Sequence, residues 1–367
     1  MGHYSKIIIV ASIISIVIVS GCVSQGPGFW DQLFGPAASI FGLDVVKTTR
    51  EVQSIGVVNP LSITSVKTLP ENKVLPQANV QLFMEIANTD NDPSKTINTI
   101  VDIFDAGVFK TKDGTKNCNE FSPPKTADTC GPTDGRGTSI CQSGSECNLR
   151  LGATKQITFE MKAPTAEEIA NVITKSKLNY KVQYSYIGGT NFEVLVVDYN
   201  EIIARQKSGS ALSQKVSDIK GSGPVKIDIT SGAPYVITSA PLSATTSKAF
   251  LIFTIRNAGS GFLKDSQIED NQMTIKIPKE LAGNEQNIDY DKSAFGCIDG
   301  DADITCTNSD KIKLFKSDSV PFQFIINNVP ALPEGAPHRT YLVRAVVSYT
   351  YELRSYSELE VNPIIRG

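Results

Sequence analysis

The chain has 367 residues, 41% of them hydrophobic and 20% charged, which is the composition of a globular protein long enough for two domains. Its formal net charge of -3 provides no positive surface potential to attract the phosphates of DNA or RNA, so we expect no nucleic-acid partner. His3 lies in the N-terminal leader and His338 therefore stands alone. This excludes a Ser-His-Asp triad, a Cys-His pair and a multi-histidine metal site within one chain, and we expect no enzymatic activity.

The N-terminus has the pattern of an export signal. Lys6 precedes an apolar run of 13 residues, Ile7–Val19, which is shorter than the roughly 20 residues that span a bilayer. The run ends in Val19-Ser20-Gly21-Cys22, which resembles the lipobox of secreted lipoproteins. The resemblance implies that residues 1–21 are removed as a signal peptide and that a lipid on Cys22 anchors the chain at the extracytoplasmic face of the cell membrane. The alternative is a leader that is retained as the anchor.

Residues 22–44 form a separate N-terminal segment with many apolar side chains. Trp30, the only tryptophan of the chain, lies here among glycines and prolines. Such a segment either lies in the membrane interface beside the lipid or packs as a strap on the first domain.

From Val45 onward, apolar and polar residues alternate, which is typical of strands with one face on a core. The alternation is clearest in four stretches: Val80–Ile86, Val225–Ile229, Met273–Ile277 and Phe322–Ile326. One helix is predicted after Pro164, where Thr165 and Glu168 have the spacing of a capping box and lysines follow at the expected C-terminal end.

An internal repeat organises the chain. Three pairs of segments match in the same order, with offsets of 165 to 169 residues: Leu82–Asn88 with Leu251–Asn257, Phe159–Pro164 with Phe324–Pro330, and Val182–Tyr186 with Val347–Tyr351. The repeat predicts two copies of one β unit, at 45–205 (copy one) and 224–363 (copy two). A Ser- and Gly-rich linker, 206–223, joins them and contains a short helical turn around Val216. In both copies we expect the Val-x-Tyr-x-Tyr strand to be followed by a turn and a return strand.

Several short strands in each copy, without a βαβ rhythm, predict an all-β fold of two tandem antiparallel β-sandwiches. The strand ending in Asn257-Ala-Gly-Ser-Gly261, the Phe-x-Phe strands and the Val-x-Tyr-x-Tyr strands resemble the immunoglobulin-like, CARDB-type modules of bacterial and archaeal cell-surface proteins. The resemblance covers both copies. Copy one departs from it by the helix after Pro164 and by an insertion at 111–150.

Six cysteines remain beyond Cys22, and they fall into two local groups: Cys118, Cys130, Cys141 and Cys147, then Cys297 and Cys306. Even, clustered cysteines in an exported chain predict disulfides, whereas zinc would need close pairs. Because aligned positions of the repeat should share a role, we predict Cys297–Cys306 and Cys118–Cys147, with Cys130–Cys141 nested inside. The bridges would order the insertion 111–150 either as a displayed recognition loop or as a stapled segment without a partner.

Two further groups of side chains are candidate sites. Asp299, Asp301 and Asp303 alternate in one short loop and could converge on Ca²⁺, the only cofactor we consider; the alternative is a solvated acidic turn. Tyrosines pair on the last hairpin of each copy, Tyr184 with Tyr186 and Tyr349 with Tyr351. They either present aromatic strips to a protein or glycan partner or pack across the strands.

These features together predict a membrane-anchored extracytoplasmic lipoprotein that acts as a surface binding or adhesion module. The alternative is a structural or accessory subunit of an envelope assembly, such as a pilus or secretion complex, that adds strands to its neighbours by edge pairing.

Overall fold

The computed structural model describes residues 45–363 except 55, 124, 135, 143, 145, 239–247 and 316. Most of these residues lie in strands, so the prediction of an all-β fold is confirmed. The strands are β1 (Val46–Ser54), β2 (Leu61–Leu69), β3 (Lys73–Val74), β4 (Asn79–Asn88), β5 (Ile97–Asp105), β6 (Cys147–Leu149), β7 (Thr154–Lys162), β8 (Thr174–Asp198), β9 (Leu212–Lys220), β10 (Val225–Ser231), β11 (Val236–Thr238), β12 (Ala249–Asn257), β13 (Phe262–Leu263), β14 (Gln267–Ile268), β15 (Met273–Pro278), β16 (Ile288–Asp289), β17 (Phe295–Asp299), β18 (Asp303–Asn308), β19 (Ile312–Phe315), β20 (Asp318–Ser319), β21 (Phe322–Ile326) and β22 (His338–Val361). The α-helices of the described residues are α1 (Tyr199–Ser208) and α2 (Lys279–Ala282).

The repeat found in the sequence is present in the strand pairing. In copy one, β4 lies between β2 and β7, and Leu82 faces Phe159. In copy two, β12 pairs with both β10 and β21, and Leu251 faces Phe324. Aligned residues of the two copies therefore occupy the same register in equivalent antiparallel sheets.

A second, twelve-stranded sheet contains strands of both copies. In copy one, β5 pairs with β8 so that Val101 faces Val182. In copy two, β15 pairs with β22 so that Met273 faces Val347, the residue aligned with Val182. Each copy thus contributes an equivalent strand pair to one continuous sheet.

The predicted turn and return strand after each Val-x-Tyr-x-Tyr segment are not formed. β8 and β22 continue straight and pair with each other in antiparallel register from Thr174↔Val361 to Val197↔His338. Gly188 and Gly189, which follow Tyr186, lie inside β8. A Cβ at Gly188 would be 3.2 Å from the Val225 carbonyl oxygen, so this glycine permits a close backbone approach instead of a turn.

The two long strands exchange their ends between the copies. The end of β22 pairs with β3 of copy one, and the end of β8 pairs with β11 of copy two, both in parallel. Ser185 faces Thr350, its own partner in the repeat, so this pair marks a pseudo-two-fold axis. Residues 48–204 and the chain from Ser213 accordingly form one compact unit, and the copies are not closed domains separated by a linker. Of the described residues, 45–47 and Arg205–Leu212 belong to a second, smaller unit.

The linker 206–223 and the helix after Pro164 need correction. Instead of a helical turn around Val216, the linker holds strand β9, which pairs with β8 and buries Val216 and Asp218, two residues apart. The capping box does form, because the Thr165 N–H donates to Glu168 Oε2 (2.9 Å) and the Glu168 N–H donates to Thr165 Oγ1 (3.2 Å). The helix does not continue, because Ala170 and Asn171 both take left-handed φ values of 52° before β8 begins.

Candidate functional site: an aromatic face on the twelve-stranded sheet

The four predicted binding tyrosines are buried and form a seam between the copies. Tyr184 faces Tyr351 and Tyr186 faces Tyr349 across β8 and β22, with ring centroids 5.7 Å and 6.1 Å apart. Each is 4% exposed or less, so the proposed surface strips are wrong and cross-strand packing is the correct interpretation. Burial raises the pKa of all four hydroxyls, which keeps them neutral.

Hydroxyl groups of the seam tie the long strands to the turns that follow the repeated strands. The Tyr351 hydroxyl donates to Asn257 Oδ1 (2.8 Å) and accepts from the Gly261 N–H (2.9 Å). The Tyr186 hydroxyl, at the aligned position of copy one, donates to Asp90. These equivalent bonds fix the seam against both halves of the fold.

All six cysteines of the described residues are in disulfides, and Cys297–Cys306 joins facing residues of β17 and β18 as predicted. The other predicted pairing is wrong: the bridges are Cys118–Cys130 and Cys141–Cys147, with Cα atoms 5.8 Å and 4.5 Å apart. The insertion folds as two successive small loops, so each cysteine meets its neighbour in sequence. The nested pairing would have required one closed loop.

Part of the insertion 111–150 lies along the edge of the β2–β4–β7 sheet. Thr133 exchanges backbone hydrogen bonds of 2.8 Å and 2.9 Å with Thr158 of β7. Lys125 of the insertion is buried, and its ammonium donates to the Ile103 carbonyl of β5 in the twelve-stranded sheet. An edge strand covered in this way is protected from pairing with other chains.

The three aspartates proposed for Ca²⁺ lie around the tight turn that joins β17 to β18. Asp299 Oδ1 accepts a hydrogen bond from the Glu285 N–H (3.1 Å). Across the part of the chain that the structure describes, no three His, Cys, Asp or Glu side chains are placed to hold a metal ion together. Cys22, the proposed lipid site, and residues 22–44 lie outside the described residues, and no described helix is both long and apolar enough to cross a membrane.

The structure brings together an exposed group of side chains that the sequence analysis missed. Phe104, Phe262 and Tyr356 are 44%, 53% and 54% exposed, and we call them, with Arg354, the aromatic face. The Arg354 guanidinium carbon lies 5.8 Å from the Phe104 ring centroid and 5.5 Å from that of Phe262. Lys177 Nζ lies 4.3 Å from the Tyr356 ring centroid. Cation–π contacts therefore join Arg354 to both phenylalanines, and a separate one joins Lys177 to Tyr356.

A buried carboxylate holds Arg354 in place. Arg354 Nε donates to Glu352 Oε2 (2.8 Å), and Gln183 donates to the other oxygen of Glu352. Burial alone would raise the pKa of Glu352, but the hydrogen bonds from Arg354 and Gln183 bring it below its usual value, so the carboxylate is ionised. The buried Glu352 carboxylate thus neutralises the charge of Arg354, while the Arg354 side chain stays half exposed beside the Phe104 and Phe262 rings.

The fold itself does not require this group. The register of β5 against β8 shifts between Ile103 and Asp105, so Phe104 is an extra residue at a β-bulge, whereas β15 pairs with β22 without a shift. The positions of copy one aligned with Arg354 and Tyr356 hold Gly189 and Asn191. Bulges that re-aim a side chain are common beside functional sites, and the bulge was the feature that the alternation pattern could not reveal.

Comparisons with known proteins give no family. No family model and no curated protein matches the chain. Solved structures with partial likeness include a Porphyromonas gingivalis W83 protein of unknown function (8% identity, 73% of this chain and 84% of that one, TM-score 0.18). A second is the yeast delta-COP-I mu-homology domain (11% identity, 78% of this chain and 81% of that one, TM-score 0.20). A third is the S. aureus collagen adhesin CNA (10% identity, 85% of this chain and 92% of that one, TM-score 0.12). At such TM-scores these likenesses carry no argument about function.

Proposed function

We propose that the protein is held at the extracytoplasmic face of the cell membrane by a lipid on Cys22 and acts as a surface binding or adhesion module. The three disulfides support the location, because disulfides persist in oxidising compartments. The lipobox-like sequence at residues 19–22 supports the anchor.

The aromatic face is the observation that carries the binding role. Exposed aromatic rings around an arginine have the composition of interface hot spots. Glu352 fixes Arg354 before any partner arrives, so little conformational entropy is lost on binding. The partner is a protein or glycan that offers apolar and hydrogen-bonding groups to a flat sheet surface.

The test compares cell-surface binding by two variants of the disulfide-bonded chain. Phe104→Ala with Phe262→Ala removes two rings of the aromatic face. Phe315→Ala is the matched control, because Phe315 is also an exposed phenylalanine, 66% exposed, in copy two. We expect the double variant to lose about tenfold or more in apparent affinity, as truncated hot spots do, and the control to bind normally.

A photo-crosslinking side chain at each of the same positions identifies the contact. We expect a recurrent cross-linked product in intact cells from Phe262 and none from Phe315. Unchanged binding by the double variant, or equal losses in both variants, would remove the aromatic face from the proposal.

The envelope-assembly alternative needs an open strand edge, and the path of the twelve-stranded sheet ends at β1 and at β17. Ile298 of β17 is 73% exposed, but two N–H groups along this strand are already bonded. The Cys297 N–H donates to the Tyr290 hydroxyl (3.2 Å) and the Phe295 N–H donates to the Asp291 carbonyl (3.0 Å). The β17 edge is therefore poorly suited to strand addition.

A further inference from the structure

Two basic residues face each other on adjacent strands of copy two, and one of them is buried. Lys226 of β10 lies directly opposite Arg256 of β12 in the antiparallel register. Facing like charges repel each other, and Lys226 is only 6% exposed, so water screens little of the repulsion. The Lys226 ammonium donates to the Gly221 carbonyl, which leaves two of its three N–H donors.

More positive than negative charge surrounds this pair. Lys220 and Lys95 also act on Lys226, and the single carboxylate among these groups is that of Asp228. Both Asp228 oxygens are engaged, Oδ1 with Lys220 and Oδ2 with Arg256 (3.1 Å). Burial lowers the pKa of Lys226, and the charges of Lys220 and Arg256 lower it further.

The internal repeat shows that the fold does not need these charges. β2 and β4 of copy one are equivalent to β10 and β12, and the facing pair aligned with Lys226 and Arg256 is Ser62 and Ala87. Copy one therefore builds the same strand pair with small uncharged side chains. The cations of copy two need another explanation.

We propose that Lys226, Arg256 and Lys220 form a binding site for an oxyanion, a phosphate or sulfate group that is either free or the terminal group of a larger ligand. Lys226 forms the floor of the site. Lys220 and Arg256 are more exposed, with side chains 21% and 48% accessible, and form its rim. Asp228 holds the two rim cations in position, and a guanidinium beside two ammonium groups suits the tetrahedral oxygens of such an anion. The site is independent of the aromatic face and of the proposed function.

The experiment measures thermal stability and calorimetric binding while inorganic phosphate or sulfate replaces chloride at constant ionic strength. Wild type should show a saturable rise in midpoint temperature that chloride does not give. In Lys226→Ser with Arg256→Ala, which installs the residues of copy one, binding should weaken about tenfold or more. The variant should fold, because copy one builds the equivalent strand pair with serine and alanine.

The chain offers a matched control in Lys276 and Arg344, which also face each other across two strands but are exposed. Lys276→Ser with Arg344→Ala removes the same charge and should bind the anions as wild type does. Equal weakening in both double variants, or an equal response to chloride, would show general charge screening and overturn the proposal.

Glycerol 3-phosphate distinguishes the two sources of the oxyanion. Weaker binding than inorganic phosphate supports a free anion, because the extra group is then excluded at the buried floor. Equal or tighter binding supports a terminal group of a larger ligand. No binding of phosphate, sulfate or the monoester by wild type would refute the site.

Discussion

The tyrosine seam yields a prediction with an internal control. Tyr351 and Tyr184 face each other, and both are almost completely buried. The Tyr351 hydroxyl makes two hydrogen bonds, to Asn257 and from Gly261, whereas the Tyr184 hydroxyl has no hydrogen-bond partner among the described residues. Replacing either residue by Phe removes one oxygen and leaves the ring in place.

The two substitutions should have different effects on the free energy of unfolding. Tyr351→Phe leaves the buried Gly261 N–H without its acceptor, so we expect a loss of about 1–3 kcal/mol. Tyr184→Phe removes a buried hydroxyl that has already lost its water, so we expect no loss, or a gain of up to about 1 kcal/mol.

Urea unfolding of the disulfide-bonded chain measures the difference as a shift in midpoint, and an unchanged slope shows that the same surface unfolds in each variant. A loss for Tyr184→Phe as large as that for Tyr351→Phe would refute the reasoning, because it would mean that the Tyr184 hydroxyl has a partner. A neutral Tyr351→Phe would show that the bonds to the turn contribute nothing.

Three further predictions concern the insertion, Asp102 of β5 and the strand exchange. Trypsin cleaves after Lys125 and Arg136, so a non-reducing digest separates the peptides that carry Cys118, Cys130, and Cys141 with Cys147. The disulfides of the structure should link the first two peptides and leave the third with an internal bridge. The nested pairing would instead link all three peptides. Burial raises the pKa of Asp102. Between the unfolded pKa and the native pKa, the native state retains a proton that the unfolded chain has lost, so the free energy of unfolding falls as the pH rises through this range. Above the native pKa, Asp102→Asn should be more stable than wild type by about 1–3 kcal/mol, and below the unfolded pKa the two should be equally stable. Denaturation measured over this pH range tests the prediction, and a difference that does not change with pH would contradict it. Fragments 45–205 and 206–363 should each fail to fold alone and should assemble when mixed, because each lacks the strand end that the other supplies. Circular dichroism and size exclusion test this, and a folded monomer of either fragment would contradict the exchange.

The sequence by itself determined the all-β class, the repeat and the Cys297–Cys306 bridge. Alternation of apolar and polar residues is a local property, and it survives any arrangement in which one strand face is buried. The repeat also matched residues that take equivalent positions in the structure, since Leu82 faces Phe159 as Leu251 faces Phe324.

Only the tertiary structure decided how the copies are joined. A turn after Tyr186 and an uninterrupted strand bury the same alternate side chains, so the pattern could not distinguish them. The straight strand lets β8 and β22 pair over their whole length and brings the tyrosines inside. The aromatic face and the facing pair of Lys226 and Arg256 depend on residues far apart in the chain, and such neighbours exist only once the register between strands is fixed.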